Sequence, residues 1–309
     1  MSKSMSVTNH GFTLGNGSTG FLLVHGLGGT PLELKFVAKG LARNGFLVNC
    51  PQLAGHCGDE HDLLATGWHD WYASVEDAFD RLRQRCDTVI AGGLSMGAVL
   101  ALHLAAKRKS EVHGLALYAP TLWHDGWAMP WFAHLLGRGP LSAIGHRLIS
   151  RFYSFTEKEP YGIKDPAIRA VVLAAMSSGD TTRAGVLVTP GEAIRQHGDL
   201  VELVKRELNA ISAPAILIQA RDDDMASLKN SEYLQRHLGG TVNTIILDDS
   251  YHIVTVDRQR DMVIDGSAAF ATALAARRAK EAQDTIRPLP TRADDVEAAA
   301  DTRSASAQA

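Results

Sequence analysis

The chain has 309 residues, of which 45% are hydrophobic and 21% charged, a composition that suits one large α/β domain with an insertion or two smaller domains. A formal net charge of −3 gives no electrostatic reason to expect a nucleic acid or an anionic membrane surface as a partner. The three cysteines form no CxxC pair, and no apolar run is long enough for a signal peptide or a membrane span. Reduced thiols in a cytoplasmic protein are therefore expected.

The first part of the chain alternates apolar runs with helical patterns. Residues 1–20 are polar and rich in glycine, serine and threonine, and they are predicted to form a flexible lead-in. An apolar run bounded by glycines predicts a buried parallel strand at Phe21–His25, and the next strand is predicted at Phe46–Cys50. Helices are expected over 32–44 and 68–85. Strands separated by helices indicate βαβ units and a mostly parallel, doubly wound sheet, which is an α/β fold.

The most informative motif is a G-x-S-x-G sequence at Gly93–Gly97. A short apolar strand precedes it, and a helix that extends to about Lys109 follows it. This arrangement is typical of a nucleophile elbow, a tight strand-to-helix turn that exposes one serine hydroxyl. The two glycines leave room for the turn and the close strand–helix crossing. Ser95 then lies at a helix start, where free N–H groups favour developing negative charge.

Residues 121–209 interrupt the alternation of strands and helices. The region opens with the aromatic stretch Trp123–Phe132, and helices are predicted over 165–177 and near 191–208. We expect a mostly helical cap or lid inserted into the sheet domain. The aromatic stretch either packs between cap and core or offers an apolar wall to a substrate or a lipid surface.

The alternation returns after the cap. Strands are predicted at Ala215–Gln219 and Asn243–Leu247, with helices near 228–238 and 257–278. From residue 280 onward the composition favours disorder. The sequence therefore divides into a lead-in, a core in two parts, a cap and a tail: residues 1–20, 21–120 with 210–279, 121–209, and 280–309.

A serine nucleophile needs a base, and in this architecture the base follows the acid along the chain. Among 13 histidines, His252 alone lies between the last predicted strand, ending at Leu247, and the last helix. Others, such as His103, His113 and His237, lie inside predicted helices or strands and are expected to be structural or exposed. His252 is therefore the predicted base.

The predicted acid lies in the loop after the strand that ends at Gln219. Three aspartates follow one another there, Asp222, Asp223 and Asp224. The spacing from the small residue Ala220 favours Asp223. Spacing alone leaves the other two open.

An oxyanion hole requires two backbone N–H groups near the substrate carbonyl oxygen. One is predicted to be that of Met96, the residue after the nucleophile. The other is expected from the glycine-bearing turn His25–Gly28, with Leu27 as the favoured donor.

Two further clusters bear on ligand binding. The cluster from His56 to Asp62 combines histidine, cysteine and carboxylates but has none of the usual metal-binding spacings. The turn Gly26–Gly29 lacks the residues that complete a phosphate-binding loop. Neither a metal nor an organic cofactor is expected.

These motifs resemble the α/β-hydrolase superfamily and, more narrowly, the bacterial carboxylesterase and monoacylglycerol-lipase-like group. The resemblance covers most of residues 20–275 and depends on the following segments: Leu23–Gly26 with Pro31 and Glu33, Pro51–His56, Trp68–Trp71, Gly93–Gly97, Ala220–Asp223 and Ser250–Thr255. It implies the α/β-hydrolase fold and a catalytic triad of Ser95, Asp223 and His252. Two positions differ from the usual family pattern, since Cys57 and Ala98 stand where glycine is common.

The resemblance implies a serine carboxylesterase that hydrolyses esters of short to medium acyl chains or monoacylglycerols. Its partner would be a small ester with an apolar acyl group; the oligomeric state is left open. A thioesterase or acyltransferase with the same triad is the alternative within enzymes. A non-catalytic hydrolase fold that binds an apolar ligand is the alternative outside them.

Overall fold

The computed structural model describes residues 9–128 and 154–286. The described strands are β1 (Phe12–Leu14), β2 (Thr19–Val24), β3 (Leu47–Cys50), β4 (Thr88–Leu94), β5 (Gly114–Tyr118), β6 (Ser154–Thr156), β7 (Val188–Pro190), β8 (Ala215–Ala220) and β9 (Val242–Leu247). The described helices are α1 (Lys35–Arg43), α2 (Glu60–Leu64), α3 (Trp68–Arg83), α4 (Met96–Arg108), α5 (Pro166–Ser177), α6 (Thr181–Ala184), α7 (Gly191–Glu207), α8 (Lys229–His237) and α9 (Arg260–Ile286).

Seven of these strands form one sheet in the order β1-β3-β2-β4-β5-β8-β9. Strand β1 is antiparallel to β3 at one edge, and the other neighbours are parallel. The sheet is thus mostly parallel, as predicted. Since the carboxyl ends of parallel strands meet at one edge of a sheet, the loops after β2, β4, β8 and β9 lie along the same edge.

The centre of the sheet is buried on both faces. Every residue of β4 and β5 is buried, which explains why these strands are continuous apolar runs in the sequence. Helix α4 follows β4 and packs between the sheet and helices α3 and α7. Ten of its 13 residues, Met96 to Ala105, are buried, as expected of a helix that is covered on all sides.

The predicted flexible lead-in contains a strand. Phe12 pairs with Cys50 and Leu14 with Val48, so that β1 extends the sheet beyond β3. Strand β2 begins at Thr19, two residues before the predicted strand. A strand of three residues gives too short a pattern to be recognised by its period, and residues 1–8 lie outside the described part.

Residues 154–209 of the predicted cap hold three α-helices and an unpredicted two-stranded sheet. Strands β6 and β7 are antiparallel, with Ser154 opposite Pro190 and Thr156 opposite Val188. Helices α5 and α7 match the helices predicted for this region. Residues 129–153, with the second half of the aromatic stretch, lie outside the described part.

The last helix, α9, continues to Ile286, beyond the predicted start of the tail at residue 280. The chain divides into two compact units, Met1–Ala271 and Thr272–Ala309, and every residue of the site below belongs to the first. Residues 287–309 lie outside the described part. Among the described helices, none is long and apolar enough to cross a membrane.

Candidate active site

The G-x-S-x-G motif forms a sharp turn between β4 and α4. Ser95 has φ 56° and ψ −116°, a backbone conformation that a non-glycine residue adopts only where its surroundings impose it. The turn needs its glycines, because a Cβ at Gly97 would lie 2.0 Å from the carbonyl oxygen of Val24. The Ser95 N–H donates to the Tyr118 carbonyl at 2.9 Å. The nucleophile is thus fixed by both neighbouring strands.

The Ser95 hydroxyl lies 3.0 Å from the hydroxyl of Thr121. Thr121 is buried, and its own hydroxyl donates to the Ala119 carbonyl at 3.2 Å. The two hydroxyls thus form one hydrogen bond in which either oxygen can be the donor. Thr121 carries no distinguishing sequence signal.

His252 lies in the loop after β9, buried, with its ring facing Asp223. Its Nδ1 lies 3.0 Å from each of the two carboxylate oxygens of Asp223. Since a carboxylate can only accept, Nδ1 carries the proton and Nε2 is left to act on a substrate. This is the relation between base and acid that nucleophilic catalysis by a serine requires.

The three consecutive aspartates have different surroundings. Asp223 is buried, and its Oδ1 also accepts the N–H groups of Met225 at 2.9 Å and Ala226 at 2.8 Å. Asp222 is exposed. Asp224 is buried but accepts the backbone N–H groups of Gly162 and His252. Only Asp223 among the three is placed against the imidazole ring.

The imidazole of His252 is surrounded by carboxyl groups. Burial lowers the pKa of His252, but Asp223 opposes this effect, with further contributions from Asp224 and Glu157, and the pKa is raised to about 9. The ring therefore gains a proton more readily than an ordinary histidine. A base of this kind is well suited to hold the proton of a nucleophile, but it must be neutral at the start of the reaction.

The turn after β2 faces the nucleophile. A methyl group at Gly26 would lie 3.7 Å from the Ser95 Cβ, so this turn lies next to the serine. The Gly26 N–H donates to Glu33 Oε2 at 3.2 Å, and the Gly29 N–H closes the turn on the Gly26 carbonyl at 3.2 Å. On the other side, Met96 is the first residue of α4, where the helix offers its N–H group no backbone acceptor.

Two glutamates near the site have no role assigned from the sequence. Burial raises the pKa of Glu33 and of Glu157 to about 7, although both residues stay partly accessible. Both interact electrostatically with His252. Glu33 could have been noticed from its spacing after the Gly26–Gly29 turn, whereas Glu157 carries no sequence signal.

Residues from the predicted cap contact the loops of the site. The Val186 N–H donates to the Gly28 carbonyl at 3.0 Å, and the Thr181 hydroxyl donates to the Cys57 carbonyl at 3.3 Å. Burial, together with Glu33, raises the pKa of the Cys57 thiol to about 12, so the thiol stays protonated near neutral pH. These contacts hold the described part of the cap against the turn that faces Ser95.

The described half of the aromatic stretch divides between packing and exposure. The Trp123 ring contacts the Tyr233 ring edge-on at 5.0 Å, which is ordinary packing against α8. Trp127 is 59% exposed, and its indole N–H donates to the Asp222 carbonyl. Among the described residues, no group of three or more histidine, cysteine or carboxylate side chains is placed to hold a metal ion.

Comparison with known proteins shows the family of the chain. The sequence model of the family described as "Serine aminopeptidase, S33" matches residues 19–259. The chain is 28% identical over 261 residues to a thermostable monoacylglycerol lipase of Bacillus sp. (strain H-257), covering 82% of this chain and 91% of that protein. It is 23% identical to a carboxylesterase of Bacillus subtilis (strain 168), covering 83% and 94%.

Solved structures agree as well. A structure described with LipS and LipT, two metagenome-derived lipolytic enzymes, superposes with a TM-score of 0.69 at 25% identity, covering 85% of this chain and 97% of that one. The monoacylglycerol lipase of Paleococcus ferrophilus also gives 0.69, at 16% identity, covering 86% and 99%, which shows the shared fold. The resemblance and the fold predicted from the sequence are both confirmed. The chain therefore belongs to the serine aminopeptidase S33 family and is a serine hydrolase with the α/β-hydrolase fold.

Proposed function

We propose that the protein is a carboxylesterase that hydrolyses esters of short to medium acyl chains or monoacylglycerols through Ser95, His252 and Asp223. The observation that carries the proposal is the position of His252, whose Nδ1 lies 3.0 Å from both oxygens of Asp223 at the sheet edge where the Ser95 turn also lies. Nucleophile, base and acid follow strands β4, β9 and β8 of one parallel sheet.

In the first step, Ser95 Oγ turns from Thr121 and bonds to the ester carbonyl carbon while its proton passes to His252 Nε2. The carbonyl electron pair moves to the oxygen. Collapse of this intermediate breaks the bond to the alcohol oxygen, and His252 gives the proton to the departing alcohol. Asp223 holds the ring and stabilises its positive charge without taking the proton itself.

In the second step, water attacks the acyl-enzyme. His252 takes one proton from the water as the new bond to carbon forms, and the negative charge again develops on the carbonyl oxygen. Collapse releases the carboxylic acid and returns the proton to Ser95 Oγ. The N–H groups of Leu27 and Met96 are the proposed donors to the oxyanion, each worth about 10²–10³ in rate.

The ester class rests on the relatives. Two relatives of the chain are named as a monoacylglycerol lipase and a carboxylesterase, and the match covers more than nine-tenths of the length of each. The family description also names a serine aminopeptidase, and the same nucleophile can attack an amide. An ester has a better leaving group than an amide when a serine attacks. An ester is also the kind of substrate that the relatives' names indicate.

A panel of substrates tests the proposal. Purified protein is assayed with p-nitrophenyl esters of increasing chain length, monoacylglycerols, an acyl-CoA and an aminoacyl p-nitroanilide, with Ser95→Ala as the control. We expect the highest kcat/KM on a medium-chain ester or a monoacylglycerol and no turnover by the variant. A preference for the thioester or the anilide by orders of magnitude would contradict the proposed substrate class.

A further inference from the structure

Asp224 is a second buried carboxylate beside the catalytic pair. Its Oδ1 accepts the backbone N–H of His252 at 3.2 Å, and its Oδ2 accepts the backbone N–H of Gly162 at 3.0 Å. One side chain thus bridges the loop that carries the base and a segment of the cap. Burial raises the pKa of Asp224, and the two N–H donors favour its ionised form in return.

The same two segments are joined directly through their backbones. The Ile253 N–H donates to the Gly162 carbonyl at 2.8 Å. Gly162 has φ +71°, and a Cβ there would lie 2.7 Å from Ile253 Cγ1 and 3.3 Å from His252 Cβ. The cap segment therefore lies against the catalytic histidine at a distance that admits only glycine.

Another buried carboxylate, that of Asp257, forms a similar bridge between the same two segments. Asp257 Oδ2 accepts the N–H groups of Lys164 and Tyr251, both at 2.8 Å. Its Oδ1 accepts the Asp165 N–H at 3.0 Å. Two carboxylates and one backbone hydrogen bond thus fasten residues 162–165 to the loop on both sides of His252.

We propose that Asp224 is a positioning residue, which fastens the cap segment 162–165 to the His252 loop and so makes the placement of the imidazole depend on the cap. This inference rests on the proposed function, in which His252 is the base.

The charge of Asp224 distinguishes the proposed positioning role from a purely structural one. In the described part of the chain, five titratable groups face His252: Asp223 and Asp224 from the loop after β8, Glu157 after β6, Glu33 before α1, and His124 after β5. Asp224 is among those that raise the pKa of the imidazole. Removing its charge must therefore move the titration of His252 to lower pH, which loss of folded protein alone would not do.

The first test is Asp224→Asn, with the exposed neighbour Asp222→Asn as its matched control. An amide cannot accept both N–H groups, so the His252 loop shifts. We expect kcat to fall by about 10- to 100-fold, with KM changed much less. We also expect the acidic limb of the kcat/KM profile to move to lower pH, and the NMR titration of the His252 ring to move with it. The control should match the wild type.

The second test changes geometry without changing charge. Gly162→Ala brings a Cβ against Ile253, while Gly179→Ala has the same kind of backbone, φ +74°, with no described atom within 4 Å. We expect the first to lower kcat and leave the pH limb in place, and the second to leave kcat unchanged. If Asp224→Asn fails to fold, the comparison of Gly162→Ala with Gly179→Ala still tests whether the placement of His252 depends on the segment 162–165.

The inference is overturned if the His252 titration is unmoved in Asp224→Asn, or if Gly162→Ala has the activity of Gly179→Ala. The proposed function fails separately, when the wild-type protein hydrolyses no ester at all. In that case the NMR titration still reports whether Asp224 acts on His252.

Discussion

At the scale of single residues, the site combines a strained serine with a strongly basic histidine. The turn holds Ser95 at φ 56°. Its hydroxyl oxygen can therefore move only by rotation about the Cα–Cβ bond. Its hydroxyl is hydrogen-bonded to that of Thr121 at 3.0 Å. Its proton can pass to His252 only when that ring is neutral, which connects the reactivity of the serine to pH.

The first prediction concerns this pH dependence. Asp223, together with Asp224 and Glu157, raises the pKa of the buried His252 to about 9. The base is protonated below that value, so kcat/KM should rise with pH over an acidic limb that ends near pH 9. Asp223→Asn should move the limb to lower pH and reduce kcat by about 10⁴-fold. A profile with its limb near the ordinary histidine pKa would contradict the electrostatic account.

The second prediction concerns Glu33, which accepts the Gly26 N–H at 3.2 Å. Glu33→Ala leaves that N–H without its partner and releases the turn that carries Leu27, so we expect kcat to fall by about 10- to 100-fold. Glu33→Gln keeps an oxygen acceptor and should stay within a few-fold of the wild type. Steady-state kinetics of both variants measure the two changes in kcat. An equal fall of kcat in both variants would show that the charge of Glu33 matters, and not its hydrogen bond to the turn.

At the scale of elements, the crossing of β2 and α4 sets the shape of the elbow. The third prediction is that Gly97→Ala destabilises the protein by about 1–3 kcal/mol or more, because its Cβ would lie 2.0 Å from the Val24 carbonyl oxygen in a packed region. Gly198→Ala is the control, a helical glycine with no described atom within 4 Å. It should stabilise α7 by about 0.4–1 kcal/mol. Urea unfolding of the two variants measures the difference.

Long elements could be predicted from the sequence, while short ones could not. The parallel strands of the central sheet and helices α5 and α7 give patterns long enough to recognise. Strands β1, β6 and β7 have three residues each and depend on partners far along the chain. The elbow was recognisable because its glycines, its serine and its flanking elements are consecutive in sequence.

The choice of the proposed acid among three aspartates could not be settled by spacing alone. Asp222, Asp223 and Asp224 are equivalent by composition and differ by one position. Their roles are separated by the N–H groups of Met225 and Ala226, which turn Asp223 toward His252, and by Gly162, which engages Asp224. Gly162 lies 62 residues away from Asp224, so no local spacing could have predicted the contact.

At the scale of the whole molecule, buried ionisable groups predict a stability that depends on pH in two directions. Burial lowers the pKa of His25 to about 3, of His56 to about 4 and of His197 to about 3. Each is neutral when folded and gains a proton when unfolded below about pH 6.5. Their contribution to the free energy of unfolding is therefore present above that pH and is lost as the pH falls toward 3 to 4.

The groups around the site act in the opposite sense. Glu33 and Glu157, with pKa values raised to about 7, and His252, raised to about 9, hold protons more tightly in the folded protein. Their contribution is lost as the pH rises through those values. The fourth prediction is a maximum in the free energy of unfolding near pH 6.5 to 7, below the pH at which activity is highest. Denaturant unfolding across pH 4 to 10 measures it. Stability that rises together with activity toward pH 9 would contradict the prediction.

The proposed mechanism requires Ser95 to be an activated nucleophile. Treatment of the native protein with a fluorophosphonate probe, followed by location of the adduct by mass spectrometry, measures this property. We expect one covalent adduct on Ser95, formed faster as the pH rises toward 9, and no adduct in Ser95→Ala or in protein unfolded beforehand. A folded wild-type protein that takes no label, or one that is labelled at another residue, would contradict it.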